Sequence, residues 1–262
     1  MDSGNTYWDD RALLEWQVEL GVTDAILDAP VDRYALEVAK PAPTAKLAPA
    51  PDGPPPIPEP VAVDAVAIAR AAAAGAHDLP ALAAAMEAFE LCEIKRGARR
   101  FVFADGSPAA RVMIIGEPPD RDEDRAGKPF VGRAGQLLDR MLEAIDLGRA
   151  PADAHRGVYV TTVLPWRPPT NRTPDADELA MMLPFLYRHI ALADPQVIVL
   201  MGNTPCQALL GRNGISRIRG EWAEVMGRPT LPMFHPDHLL RNVAAKREAW
   251  ADLLALKARL QA

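Results

Sequence analysis

From residue 111 onward the chain repeats one pattern four times: a short, largely apolar run, a polar or proline-bearing segment, then apolar residues at helical spacing. The runs occupy residues 111–115, 158–164, 197–201 and 230–234. The intervening stretches read as helices. In residues 135–145, Leu137, Leu138, Met141, Leu142 and Ile145 share one face. Residues 176–192 tolerate Pro184 with a kink, a short helix follows Gly202 through Leu210, and residues 243–260 close the chain as an amphipathic helix. Strands that are apolar almost throughout are buried on both faces, and helix-length connections between them require parallel pairing. The expected fold class is therefore α/β: a central, mostly parallel four-stranded sheet flanked by helices in a three-layer sandwich.

Upstream the pattern changes. Residues 9–36 read as helical, with Leu13, Leu14, Trp16, Leu20, Val22, Ile26 and Leu27 on an apolar face and Gly21 ending the first segment. Residues 41–60 carry nine prolines, too few backbone donors for a helix or an inner strand, so this stretch reads as an extended linker or surface strap. Residues 61–88 are alanine-rich, with Leu79, Leu82 and Met86 on one helical side and breaks near Gly75 and Pro80. Two parts are expected: an N-terminal helical appendage with its linker over residues 1–60, and the α/β domain over residues 61–262. The appendage reads either as packing for the domain or as a separate partner-binding module.

Composition narrows the function classes. No apolar run approaches the roughly 18 residues of a membrane helix, and no basic, apolar leader opens the sequence, so a cytoplasmic protein is expected. Two cysteines, Cys92 and Cys206, supply neither a disulfide framework nor a cysteine-only metal site. His235 and His238 could share a helical face, yet the five histidines form no zinc-enzyme pattern, so no metal is expected. The net charge of −6 argues against non-specific coating of nucleic acid but leaves room for a local DNA-binding face. A monomer is the expected state.

Function in such folds collects at the carboxyl ends of the strands. Three of these ends carry chemistry. After the first, GEPPDRDEDRAGKPFVGRAG delivers Glu117 into a turn braced by Pro118 and Pro119, and an acidic loop returns to place Phe130 at a helix start. A fixed carboxylate opposite an aromatic plate suits a base turned out of its stack; the plainer reading is a solvated acidic loop with Phe130 in the core. After the fourth, HPDHLLR places His235 where it can donate to charge developing on a departing group. Leu239 and Leu240 would be a wedge into the base stack if exposed, or core residues if not, and Arg241 a phosphate contact. After the second, the proline-braced loop beyond Thr162 projects Arg167, Asn171 and Arg172, which are either phosphate clamps or simply solvated. Lys95, Arg96, Arg99, Arg100, Lys246 and Arg247 extend a basic face. No dinucleotide or triphosphate cradle is present.

The run Gly116-Glu117 through Gly127-Lys128-Pro129-Phe130-Val131-Gly132-Arg133-Ala134-Gly135, the loop Arg167-Pro168-Pro169 with Asn171-Arg172-Thr173-Pro174, and His235-Pro236 with Leu239-Leu240-Arg241 resemble the family 4 branch of the uracil-DNA glycosylases. The resemblance spans about residues 85–260. It implies the uracil-DNA glycosylase-like sandwich and a monofunctional enzyme that removes uracil from DNA in base excision repair. Phe130 would stack on the flipped base, His235 would support the leaving base through its O2 atom, and Glu117 would lie beside the sugar and position or activate water. Leu239 to Arg241 would belong to the loop that penetrates the duplex.

The departures matter as much. Members of that branch generally carry a four-iron cluster on four cysteines; here those positions are Phe89, Cys92, Trp166 and Met182, so the iron–sulfur cluster is expected to be absent and its place taken by apolar packing. The base-reading asparagine becomes Thr162, whose hydroxyl reaches less far than an amide, so a broader range of deaminated or damaged bases is expected. The closing glycine of the first motif becomes Asp120, which joins Glu117 as a candidate to orient water, with Asp122 and Asp124 in the same loop. Two rival readings are a catalytically inactive lesion-binding module of the same fold and a phosphate-handling α/β enzyme supported only by that acidic loop.

Overall fold

The computed structural model describes residues 6–21, 64–150 and 154–261. The chain divides into two units, Met1–Pro60 and Val61–Ala262. In the first, α1 (Thr6–Glu19) exposes Leu13, Leu14 and Trp16, and Gly21 follows it in the left-handed region. The expected helical residues Val22, Ile26 and Leu27, and the proline-rich stretch 41–60, lie outside the described residues.

The second unit opens with two short helices, α2 (Ala65–Gly75) and α3 (Leu79–Ala88), each capped by an aspartate that accepts from a backbone amide: Asp64 from Ala67 and Asp78 from Ala81. Pro80 sits in the first turn of α3, where its missing N–H has no partner to lose. There follow, in chain order, β1 (Ala104–Gly106), β2 (Val112–Gly116), α4 (Arg121–Ala126), α5 (Gly132–Glu143), β3 (Val158–Thr162), α6 (Ala176–Ala193), β4 (Val197–Met201), α7 (Asn203–Leu210), α8 (Ile215–Ile218), β5 (Ala223–Val225), β6 (Arg228–Met233), α9 (Pro236–Arg241) and α10 (Lys246–Gln261).

One six-stranded sheet forms, in the order β1-β3-β2-β4-β6-β5. Its four central strands are parallel, the arrangement expected from their apolar runs; every residue of β2, β3 and β4 is buried. Two antiparallel edge strands, β1 and β5, extend the sheet beyond the expected four. At three residues each they are too short to display an alternation in sequence. Helices α2 and α3 pack on α6, while α5 packs with α9 and α10. α6 runs unbroken through Pro184.

Two segments read as loops are helical. The acidic stretch after β2 is α4, begun by Asp120 and Glu123 as a reciprocal capping box and ended by Gly127 in the left-handed region. The segment after β6 is α9, with Pro236 in its first turn. The chain passes from β2 to β3 on one side and then crosses to β4 on the other. The carboxyl ends of β2 and β4 therefore flank a topological switch point, where α/β sheets open a crevice.

Candidate active site

A cavity of about 650 Å³ lies at this end of the sheet, and the segments that follow all four parallel strands contribute to its wall. Glu117 and Asp120 come from the segment after β2, Arg172 from the loop after β3, Asn203 and Thr204 from the start of α7, and His235 from the start of α9.

Glu117 spans the switch point. The Thr204 amide, in the first turn of α7, donates to its Oε1 at 3.1 Å, so the helix N-terminus faces the carboxylate. The approach requires Gly202, whose φ of 112° favours glycine and where a Cβ would overlap the Glu117 carboxylate. Burial pushes the Glu117 pKa above its ordinary value, against the hydrogen bonds from Thr204 and Asn203 that pull it down. The result is a fixed, partly desolvated carboxyl group on the cavity wall.

His235 is the N-cap of α9, and its Nδ1 accepts from the Asp237 amide at 3.3 Å. Burial pushes its pKa down to about 4. A neutral ring with Nδ1 accepting carries its proton on Nε2, so it can donate a hydrogen bond. The ring stacks on Phe130 with centroids 5.4 Å apart and planes 28° from parallel. That separation is an offset stack rather than full overlap. In the free protein Phe130 is 1% exposed and sits behind the cavity wall instead of on it.

Phe130 has φ of 51°, a left-handed conformation that costs a phenylalanine about 1–3 kcal/mol and is held only by its surroundings. Its amide donates to Glu123 Oε1, and Glu123 Oε2 accepts from the Asp120 amide at 2.7 Å. Glu123 thus ties the loop after β2 to the backbone of Phe130. Burial, opposed by the Asp120 amide, pushes its pKa up to about 7.

The remaining residues expected from the sequence fall into two groups. Arg172 and Arg241 reach the cavity wall, each with a partner: Arg172 is paired in bidentate fashion with Glu178, and Arg241 with Asp237. Asp120 also lines the wall, but its Oδ1 accepts from the amides of Asp122 (2.8 Å) and Glu123 (2.9 Å) as the cap of α4. Thr162, Arg167, Leu239 and Leu240 are not on the wall. The Thr162 hydroxyl donates inward to the Leu164 carbonyl at 2.6 Å, and Arg167 Nε donates to Asn171 Oδ1 at 2.6 Å. Leu239 is 1% exposed, so of its two readings, wedge or core residue, the structure favours the core contact; Leu240 is half-buried.

Sequence reasoning missed Glu123, although an aspartate followed three residues later by a glutamate is a capping-box signature. It also passed over Asn203, whose Oδ1 accepts from the amides of Gly214 (3.2 Å) and Ile215 (2.8 Å) and so fixes the loop beside the cavity. That partner is remote in sequence, and nothing local announces it.

A four-iron cluster of the kind the resemblance implies takes four thiolates. Phe89, Cys92, Trp166 and Met182 are all buried in the core, and Phe89 packs edge-on against Phe185 with centroids 5.4 Å apart. Only one of the four is a thiol, and burial raises its pKa. Among the described residues no group of three or more His, Cys, Asp or Glu could hold a metal ion. The residues present do not fit the cluster.

Comparison with known proteins agrees with this geometry. The model of the uracil DNA glycosylase superfamily matches residues 103–254. Three proteins named type-4 uracil-DNA glycosylase are similar over most of their lengths. That of Thermotoga maritima is 35% identical over 154 residues, covering 58% of this chain and 77% of the relative. That of Archaeoglobus fulgidus is 34% identical over 170 residues, 62% of this chain and 82% of the relative. That of Pyrobaculum aerophilum is 32% identical over 190 residues, 67% of this chain and 91% of the relative. The matched span holds the sheet, the switch-point cavity, Glu117, Phe130 and His235, and the chain belongs to the uracil DNA glycosylase superfamily.

Proposed function

We propose that the unit of residues 61–262 is a monofunctional DNA glycosylase that hydrolyses the N-glycosidic bond of uracil in DNA and leaves an abasic site for base excision repair. The observation that carries this reading is the neutral His235, with its proton on Nε2, facing the same cavity as the half-buried carboxyl group of Glu117. As the C1′–N1 bond breaks, its electron pair passes to the base and positive charge develops on the sugar. His235 donates to the base oxygen that gains charge, while Glu117 faces the sugar and holds the water that adds at C1′; the proton this water loses balances the negative charge carried off by the base. Asp120 is engaged as a helix cap, which favours Glu117 for the water. Phe130 is the plate for the flipped base, and base entry uncovers its face. Arg167, Arg172, Leu240 and Arg241 contact the DNA around the cavity.

Two finer readings follow. The inward hydroxyl of Thr162 removes an amide reader from the base pocket, which supports a range that includes other deaminated bases. Cleavage of duplexes carrying uracil, hypoxanthine or xanthine tests this, and strict uracil selectivity would refute it. The substituted positions Phe89, Trp166 and Met182 support an enzyme without an iron–sulfur cluster, and stoichiometric iron and sulfide in the purified protein would contradict that. We read the protein as a monomer of the cytoplasm, where two free, buried thiols persist unpaired; no helix among the described residues is long and apolar enough to cross a membrane. The activity itself is tested by a gel assay on single- and double-stranded uracil DNA with alkaline cleavage of the product. Strand breaks at uracil are expected, and binding without base release would overturn the reading.

A further inference from the structure

The Phe130 turn is fixed by two ionisable side chains rather than by secondary structure. Glu123 accepts from the Phe130 amide. On the other side, Arg149 Nη2 donates to the Phe130 carbonyl at 2.8 Å from nineteen residues further along the chain. Both polar groups of a backbone in the left-handed region are thus held from outside the turn. The carbonyl lies so close to the first turn of α5 that a Cβ on Gly135 would overlap it.

Arg149 is itself fully committed. A guanidinium has five N–H donors in a rigid plane. Nε and Nη2 donate to the two carboxylate oxygens of Asp139 on α5, both at 2.8 Å. Nη1 donates to Asp105 Oδ2 on β1 and to the Pro129 carbonyl, both at 3.2 Å. The Phe130 carbonyl takes the fifth donor. One planar group therefore joins the sheet edge, α5 and two successive carbonyls of the turn that carries the ring stacked on His235.

We propose that Arg149 is a positioning residue for uracil excision: it sets the height and tilt of the Phe130 ring, and through it the place of the flipped base relative to His235. The proposal rests on the reading of Phe130 as the base plate. Lysine keeps the charge but has three donors on a point centre and cannot span Asp139, Asp105 and two carbonyls at once. A small misplacement of a bound group is enough to slow a reaction by about 10- to 100-fold.

Single-turnover cleavage of a uracil-containing duplex, with enzyme in saturating excess, is measured for Arg149→Lys, Phe130→Leu and the double variant. Arg149→Lys and Phe130→Leu are each expected to slow cleavage by about 10- to 100-fold. The double variant is expected to cleave no more slowly than Phe130→Leu, because Arg149 acts only through the ring. A purely structural arginine would lower stability and leave two losses that multiply. Wild-type cleavage by Arg149→Lys, or multiplying losses, overturns the role of Arg149 and leaves the base plate intact. Wild-type cleavage by Phe130→Leu overturns the base plate and the proposal with it. If Arg149→Lys does not fold, Asp139→Asn, which weakens the bidentate pair from the partially exposed side of α5, takes its place in the same cycle.

Discussion

Around Phe130 the backbone is fixed by ionisable side chains, whereas around Cys92 the side chains are fixed by apolar contact. In the first region Glu123 and Arg149 hold the amide and the carbonyl of one residue with directional bonds. In the second, Phe89, Trp166 and Met182 are buried among other apolar groups, with Phe89 against Phe185 and Phe101 beside Trp166. The two kinds of bonding suit two tasks. Hydrogen bonds to a backbone in an unfavourable conformation specify an angle, which a reacting centre needs. Apolar packing specifies only that elements stay together.

The contrast breaks most visibly at Trp166. Trp166→Ala should destabilise the domain by about 3–5 kcal/mol, read by urea unfolding, while cleavage per folded molecule stays near wild type. A large loss of cleavage at full folding would mean that the packed region shapes the cavity after all.

Glu123→Gln should come next, at about 1–3 kcal/mol, because an amide offers one acceptor where two backbone donors, those of Phe130 and Asp120, require two. It should also change the pH dependence. The folded carboxyl group binds its proton more tightly than the unfolded one, since burial raises it from 4.5 to about 7. Protonation therefore favours the folded state below about pH 4.5, and that contribution is lost as pH rises to about 7. Thermal midpoints from pH 4 to 8 should show this slope in the wild type and a flatter curve in the variant. An unchanged slope would remove Glu123 from the account.

The smallest effect belongs to Met182→Leu, a swap of similar volume that should cost less than about 1.5 kcal/mol and leave cleavage untouched. A larger loss would show that this position does more than fill space.

Most of the sheet was legible because its central strands are buried on both faces and their sequences say so, as in the runs of β2 and β4. The edges were not, because β1 and β5 are short and only partly buried. Glu117 and His235 were legible by place: each follows a short, largely apolar run that reads as a strand. Phe130 was legible by motif, but its closed position behind His235 follows from a tertiary contact that no spacing encodes. Thr162 stands at the end of β3, yet its hydroxyl turns to the Leu164 carbonyl, a local choice that a single residue letter does not reveal. Arg149 was invisible for the plainest reason, since its five acceptors come from β1, α5 and the Phe130 turn and meet only in the folded chain.

The most direct measurement is single-turnover uracil release by the wild type and by His235→Ala from pH 5 to 8. With its pKa near 4, His235 stays neutral across that window, so wild-type cleavage should show no loss from imidazole protonation. His235→Ala should be slower by about 100- to 1,000-fold, the usual cost of one donor to developing charge. Cleavage by His235→Ala at the wild-type rate, or a wild-type rate that falls tenfold for each unit below pH 6.5 where that of His235→Ala does not, would contradict the assignment of a neutral His235 as the donor to the leaving base.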